Sequence, residues 1–139
     1  MREDILATKQ EKLARLTEAF GTAYPEKTGR TIDHATLLSR FEELAASKET
    51  VVIAGRVRSL RMMGKIGFAH IEDGSGKFQI FLSEQTTGTE ALRLFADTIE
   101  IGDFVEASGT VFLTKKDEKT LDVASWRILS KSMRPIPTE

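Results

Sequence analysis

A chain of 139 residues with 40% hydrophobic and 29% charged residues has the size and composition of one ordinary globular domain, with enough chain to bury a single core. It has no cysteine and only two histidines, His34 and His70, which excludes disulfide frameworks, thiolate zinc sites and cysteine nucleophiles and leaves no histidine-rich metal site. No apolar run approaches membrane-spanning length, and Glu3 and Asp4 stand where a signal peptide needs a basic flank, so the expectation is a cytoplasmic protein with no membrane partner.

The net charge of −1 hides a segregation. Between Thr50 and Glu72 there is no acid, while Arg56, Arg58, Arg61 and Lys65 give that stretch a local charge of +4. Distribution rather than the sum decides what a surface attracts, so a nucleic-acid partner stays open.

From Asp4 to Phe20 the residues Leu6, Leu13, Leu16 and Phe20 recur at helical spacings, with Lys9, Lys12, Arg15 and Glu18 on other faces. This predicts an amphipathic helix that Gly21 stops, after which Tyr24-Pro25 keeps the chain extended. A second helix is expected from Thr31 or Asp33, either of which could cap it, to about Ser47, with Leu37, Leu38, Phe41 and Leu44 inward. The period then changes from 3.6 to 2.

Val51 to about Arg61 reads as a long first strand in which Gly55 allows a bend, followed by strands from Ile66 to Glu72 and from Lys77 to Ser83. Asp73-Gly74-Ser75-Gly76 between them is a hairpin turn. It is not a phosphate loop, because it leads into a strand and not a helix. A short helix over Thr89 to Ala96 precedes a fourth strand ending near Leu113, a charged tip at Lys116-Asp117-Glu118-Lys119, and a fifth strand from Leu121 to Leu129. The fold expected is mainly β with flanking helices. It is a five-stranded OB-fold barrel with a helix between strands 3 and 4, preceded by two N-terminal helices, and barrels of this type bind oligonucleotides across strands 2 and 3. The expected boundaries are a helical extension over 1–49, the barrel over 50–130, and the start of a linker over 131–139, where Pro135 and Pro137 rule out regular helix or central strand.

Alternation sorts Gly67, Ala69 and Ile71 inward and Ile66, Phe68, His70 and Glu72 outward; on the next strand Phe78, Ile80 and Leu82 point inward and Gln79 and Phe81 outward. An outward ring gives an unpaired base a face to stack on, and an amide beside it pairs with a base edge. A core phenylalanine and a plain solvent-facing glutamine are the competing readings. Arg56 and Arg58 fall on one side of the first strand, with Arg61 and Lys65 near its end. They suit phosphates and bases, or alternatively a solvated edge protected by charge. No residue set suggests catalysis or metal binding: Glu42-Glu43 and Asp117-Glu118 read as a helix face and a turn tip.

Four stretches together resemble the amino-terminal anticodon-binding domain of bacterial-type lysyl-tRNA synthetases. They are Tyr24-Pro25; Gly55-Arg56 with Arg61-Met62-Met63-Gly64-Lys65 and Phe68; Asp73-Gly74-Ser75-Gly76 with Gln79; and Leu129 through Pro137. The aspartyl and asparaginyl enzymes share the barrel and its middle motif but match less at the ends. The resemblance implies that Phe68 stacks the middle anticodon base of a tRNA carrying a lysine anticodon, that Gln79 and Arg61 hold the polar edge of that uracil, and that Glu118 helps read a neighbouring base. Leu60 departs from the pattern, since relatives often have a second arginine there. The resemblance also implies an absent catalytic domain that binds ATP and magnesium and forms a homodimer, no cofactor in this domain, and no activity for this piece alone. Two other classes remain: a nonspecific single-strand binder of the same fold, and an interaction module that uses the stripe Leu6, Leu13, Leu16 and Phe20.

Overall fold

The computed structural model describes residues 10–12, 14–15 and 31–131. Residues 10–12 and 14–15 are helical, and Lys12 and Arg15 reach Glu100 and Asp97 at 3.6 and 3.5 Å. The rest of the expected first helix, its apolar stripe, Tyr24-Pro25 and the proline-rich end after Lys131 lie outside the described residues.

Five strands, β1 (Val51–Met62), β2 (Ile66–Glu72), β3 (Lys77–Ser83), β4 (Phe104–Leu113) and β5 (Lys119–Ser130), close into a barrel in the order β1-β2-β3-β5-β4. All neighbours are antiparallel except β3 and β5, which are parallel. The helix between β3 and β4 is present as expected, over Thr89–Thr98. Barrel closure depends on the length of β1, whose first half pairs with β4 and whose second half pairs with β2, with Arg56 in both ladders. Gly55 sits at that crossover. A Cβ there would lie 2.8 Å from the carbonyl oxygen of Glu72, so only glycine lets the strands approach this closely.

The second expected helix is two. Helix α1 (His34–Ser39) is capped by Asp33, whose carboxylate accepts from Thr36 N at 2.8 Å. It ends at Arg40 (φ −104°, ψ 14°), and α2 (Phe41–Ser47) follows. The break lets α1 lean on the β2–β3 turn while α2 lies along β4. Leu37, Phe41 and Leu44 join Ile53, Val57, Ile71, Phe78, Ile80, Val105 and Leu121 in one continuous core. The third helix, α3 (Thr89–Thr98), adds Leu92 and Phe95, and Phe95 packs edge-on against Trp126 at 5.0 Å. Burial of this contiguous apolar surface is the main force holding helices and barrel together.

The Asp73 turn is the clamp between helix and hairpin. Asp73 Oδ1 accepts from Ser75 N, Ser75 Oγ and Gly76 N, its Oδ2 accepts from His34 N at 3.0 Å, and Gly74 takes φ +92°. Burial opposes ionisation of this carboxyl, but the donors from Ser75 and His34 outweigh it and hold the pKa at about 2. Beneath it His34, fully buried, bonds through Nδ1 to Gly76 O at 2.8 Å.

Candidate nucleic-acid interface

Strict alternation from Val51, Ile53 and Val57 would point Ser59 and Arg61 into the core. A bulge prevents this: Val57 faces Ile71 and Ser59 faces His70, leaving Arg58 as the extra residue. Beyond the bulge the parity is inverted, so Leu60 and Met62 pack toward the core while Arg61 comes to the outer face opposite Phe68.

Registers then stack side chains into two rows across the outer face of the barrel. One row runs Arg61, Phe68, Phe81 and Asp122; the other runs Ser59, His70, Gln79 and Thr120. The first row is largely aromatic. The Phe68 and Phe81 centroids lie 5.0 Å apart, and Phe112 of β4 meets Phe81 edge-on at 6.1 Å. Phe68 is half-buried on the outer face, as alternation expects for a platform and not for a core ring.

The second row is a hydrogen-bond chain. Ser59 Oγ meets His70 Nδ1 at 2.7 Å, and His70 Nε2 meets Glu118 Oε2 at 2.7 Å. Oriented with its amide nitrogen toward the Glu118 carboxylate, Gln79 donates at 2.9 and 3.0 Å and accepts from Thr120 Oγ1 at 3.1 Å; the reverse orientation would aim its carbonyl at the carboxylate. Gln79 therefore keeps the face alternation gives it but is not open: only 7% of it is exposed, because Glu118 folds over it from the β4–β5 tip. The tip is held by Thr114, which bonds Glu118 through both backbone and hydroxyl. A serine, a histidine and a carboxylate in series elsewhere activate a nucleophile. Here the same carboxylate also accepts from the Gln79 amide, so Ser59, His70, Glu118 and Gln79 are tied into one network.

The seven residues expected at the site fall into two sets. Arg61, Phe68, Gln79 and Glu118 come together, and Lys65 stands on the β1–β2 loop beside Phe81 at the rim of an open cavity of about 460 Å³. Neither Arg61 nor Lys65 has an acidic partner among the described residues. Arg56 and Arg58 lie at the other end of the same ladder. Arg56 sits over the Phe104 ring at 4.9 Å, and Arg58 Nε is 3.6 Å from Glu72 Oε1. His70 and Ser59 are the residues sequence reasoning passed over. His70 could have been found from its position two residues after Phe68, but Ser59 depends on the bulge.

An aromatic row beside unpaired cations, with fixed hydrogen-bonding groups alongside, on the outer face of a five-stranded barrel, defines the class: an OB-fold nucleic-acid-binding domain. Comparison with known proteins narrows this. The model of the tRNA anti-codon family, described as an OB-fold nucleic acid binding domain, matches residues 51–129, and the chain belongs to that family. It is 40% identical over 134 residues to the lysine–tRNA ligase of Pelotomaculum thermopropionicum, covering 96% of this chain and 26% of that protein. It is 39% identical over 135 residues to that of Chloroflexus aurantiacus (96% and 28%) and 41% over 138 residues to that of Bordetella parapertussis (96% and 27%). The chain thus spans about a quarter of the length of these relatives. Among the described residues no helix is long and apolar enough to cross a membrane.

Proposed function

We propose that this chain is the anticodon-binding part of a cytoplasmic lysine–tRNA ligase, and that its outer face reads a uracil-rich anticodon while ATP, magnesium and lysine are handled by a catalytic domain in the rest of a homodimeric enzyme. The observation that carries the reading is the register that sets an unpaired arginine, Arg61, against an outward ring, Phe68, with the Gln79 amide in the next row. The relatives' names favour lysine over the aspartyl and asparaginyl alternatives.

The chemistry follows from the two rows. The middle base stacks on Phe68. Uracil offers a ring N–H between two carbonyl oxygens, and an amide supplies one acceptor and one donor side by side, with Arg61 as a further donor. A freely flipping amide would serve uracil and cytosine equally. Glu118 and Thr120 hold Gln79 in one orientation but leave only 7% of it exposed, so a base meets the amide once Glu118 moves aside, with Thr120 still fixing the carbonyl that accepts from uracil and clashes with cytosine. Glu118, at the exposed tip, keeps carboxylate surface for a neighbouring base. Lys65, with Arg56 and Arg58 further along β1, supplies charge to the phosphates.

The direct test is fluorescence binding of stem-loops carrying UUU, GUC or an unrelated loop, at stated salt because phosphate contacts are salt-sensitive. Preference for the UUU loop is expected. Equal binding of all three would leave a nonspecific single-strand binder.

A further inference from the structure

Glu118 must leave the Gln79 amide before a base reaches it, and His70 is what holds it there. The main chain of Glu118 is fixed: Thr114 N donates to Glu118 O at 3.0 Å, Glu118 N donates to Thr114 Oγ1 at 3.1 Å, and Asp117 N donates to Thr114 O at 2.9 Å. The side chain is therefore the part that swings. Its Oε2 lies 2.7 Å from His70 Nε2, and His70 Nδ1 lies 2.7 Å from Ser59 Oγ. A carboxylate only accepts, so Nε2 carries the hydrogen in either charge state of the ring. In the neutral ring Nδ1 accepts from the Ser59 hydroxyl, and in the charged ring it donates to the same oxygen. The chain of bonds is complete in both states. Protonation changes only its strength, turning a hydrogen bond to Glu118 into an ion pair. Both side chains are partly exposed, so a proton reaches the ring without unfolding.

We propose that His70 is a positioning residue whose proton sets how firmly Glu118 covers Gln79, so that the chain grips uracil less well in mild acid than at neutral pH. The inference rests on the anticodon reading above. Each element around the ring supplies one contact: Ser59 from β1, Gln79 from β3 and Glu118 from the β4–β5 tip. The other charges nearby are engaged or displaced. Arg58 and Glu72 pair with each other at 3.6 Å, and Lys77 faces Glu72 across the β2–β3 ladder. Arg61 is two register positions away opposite Phe68, and Lys119 Nζ lies over the Phe41 ring at 5.4 Å. Glu118 is thus the acid that a charged His70 meets, at 2.7 Å. The sign of the effect separates this device from plain electrostatics. A histidine that gains charge beside a phosphate backbone tightens binding, whereas one that fastens a carboxylate over the reading amide weakens it.

The test measures binding of a UUU stem-loop, and of the same stem-loop with an abasic middle nucleotide, to the wild-type chain and His70→Gln at fixed salt. Each is measured at about pH 8 and about pH 5.5, the range over which an imidazole takes up a proton. Wild-type affinity for the UUU loop should fall by about two- to fivefold on acidification, the worth of a partly exposed ion pair. The abasic loop asks nothing of Gln79, so its affinity should not fall. In His70→Gln, which keeps an N–H for Glu118 but cannot take up a proton, the fall should vanish for the UUU loop as well. Wild-type affinity for the UUU loop that is unchanged or higher in acid would overturn the proposal. So would a fall of equal size with the abasic loop, a comparison that needs no variant to fold, or a fall that persists in His70→Gln. A wild-type chain that binds the UUU loop no better than an unrelated one at pH 8 would overturn both this inference and the reading it rests on.

Discussion

Two ends of the barrel treat positive charge in opposite ways. Where β4 and β5 leave the core, Arg127 makes a two-pronged pair with Glu106 at 2.9 and 3.2 Å, and Lys131, fully buried, bonds Asp103 at 2.6 Å and Thr98 O at 2.7 Å. Beside Phe68, Arg61 and Lys65 have no acid against them among the described residues. Paired charge serves the fold, because a desolvated cation must be matched. On the proposed reading, unpaired charge at the rim of an aromatic row meets a ligand that brings the missing anions, as a phosphate backbone does.

The sharpest way to break this contrast is to truncate one side chain at each end in turn. Lys131→Ala should lower stability by about 3–5 kcal/mol in a denaturant titration, because Asp103 loses a buried ion pair. Phe68→Ala should leave the denaturation midpoint near wild type and weaken UUU stem-loop binding by about 1–3 kcal/mol, roughly 5- to 150-fold. If that variant unfolds, the ring is core and the platform is lost as an idea.

The Asp73 carboxyl is held at about 2 in the folded chain, below the usual aspartate range, so its contribution is present above pH 4 and disappears as the pH falls through 2. Unfolding midpoints measured from pH 5 to pH 2 should show a loss of about 2 kcal/mol in the wild type that is missing in Asp73→Asn. The same variant should bind RNA normally at neutral pH once folded, since the turn clamps the hairpin and does not touch the ligand.

The smallest expected effect is in salt dependence. Arg61→Gln and Lys65→Gln should each flatten the slope of log affinity against log salt by about 0.7, whereas Arg127→Gln should not change it. An equal change in all three would mean that charge acts from a distance and that no contact is local to Phe68.

Much of this was legible in the sequence, and for identifiable reasons. β2 and β3 begin and end where alternation and the Asp73-Gly74-Ser75-Gly76 turn place them, because a glycine turn and a period of two leave little freedom of register. The outward parity of Phe68, His70 and Phe81 follows from the same rule. What was hidden came from distant partners. The bulge at Arg58 has no glycine to announce it, and it alone brings Ser59 and Arg61 to the outer face. Gln79 is covered because the β4–β5 tip folds Glu118 across it, a contact that no local pattern encodes. The helix break at Arg40 is likewise set by α1 meeting the Asp73 turn, since every residue from His34 to Ser47 tolerates a continuous helix.

On the proposed reading nucleic acid lands on the rows of Arg61–Phe68 and His70–Gln79, away from the paired charges. Titrating the chain with a UUU stem-loop while following backbone and side-chain NMR signals tests it most directly. The largest shifts are expected at Arg61, Phe68, Gln79, Phe81 and Glu118, saturating together, with Glu106, Arg127 and Lys131 unmoved. Shifts centred on Glu106 and Arg127, with the Gln79 amide signals unchanged, would contradict it.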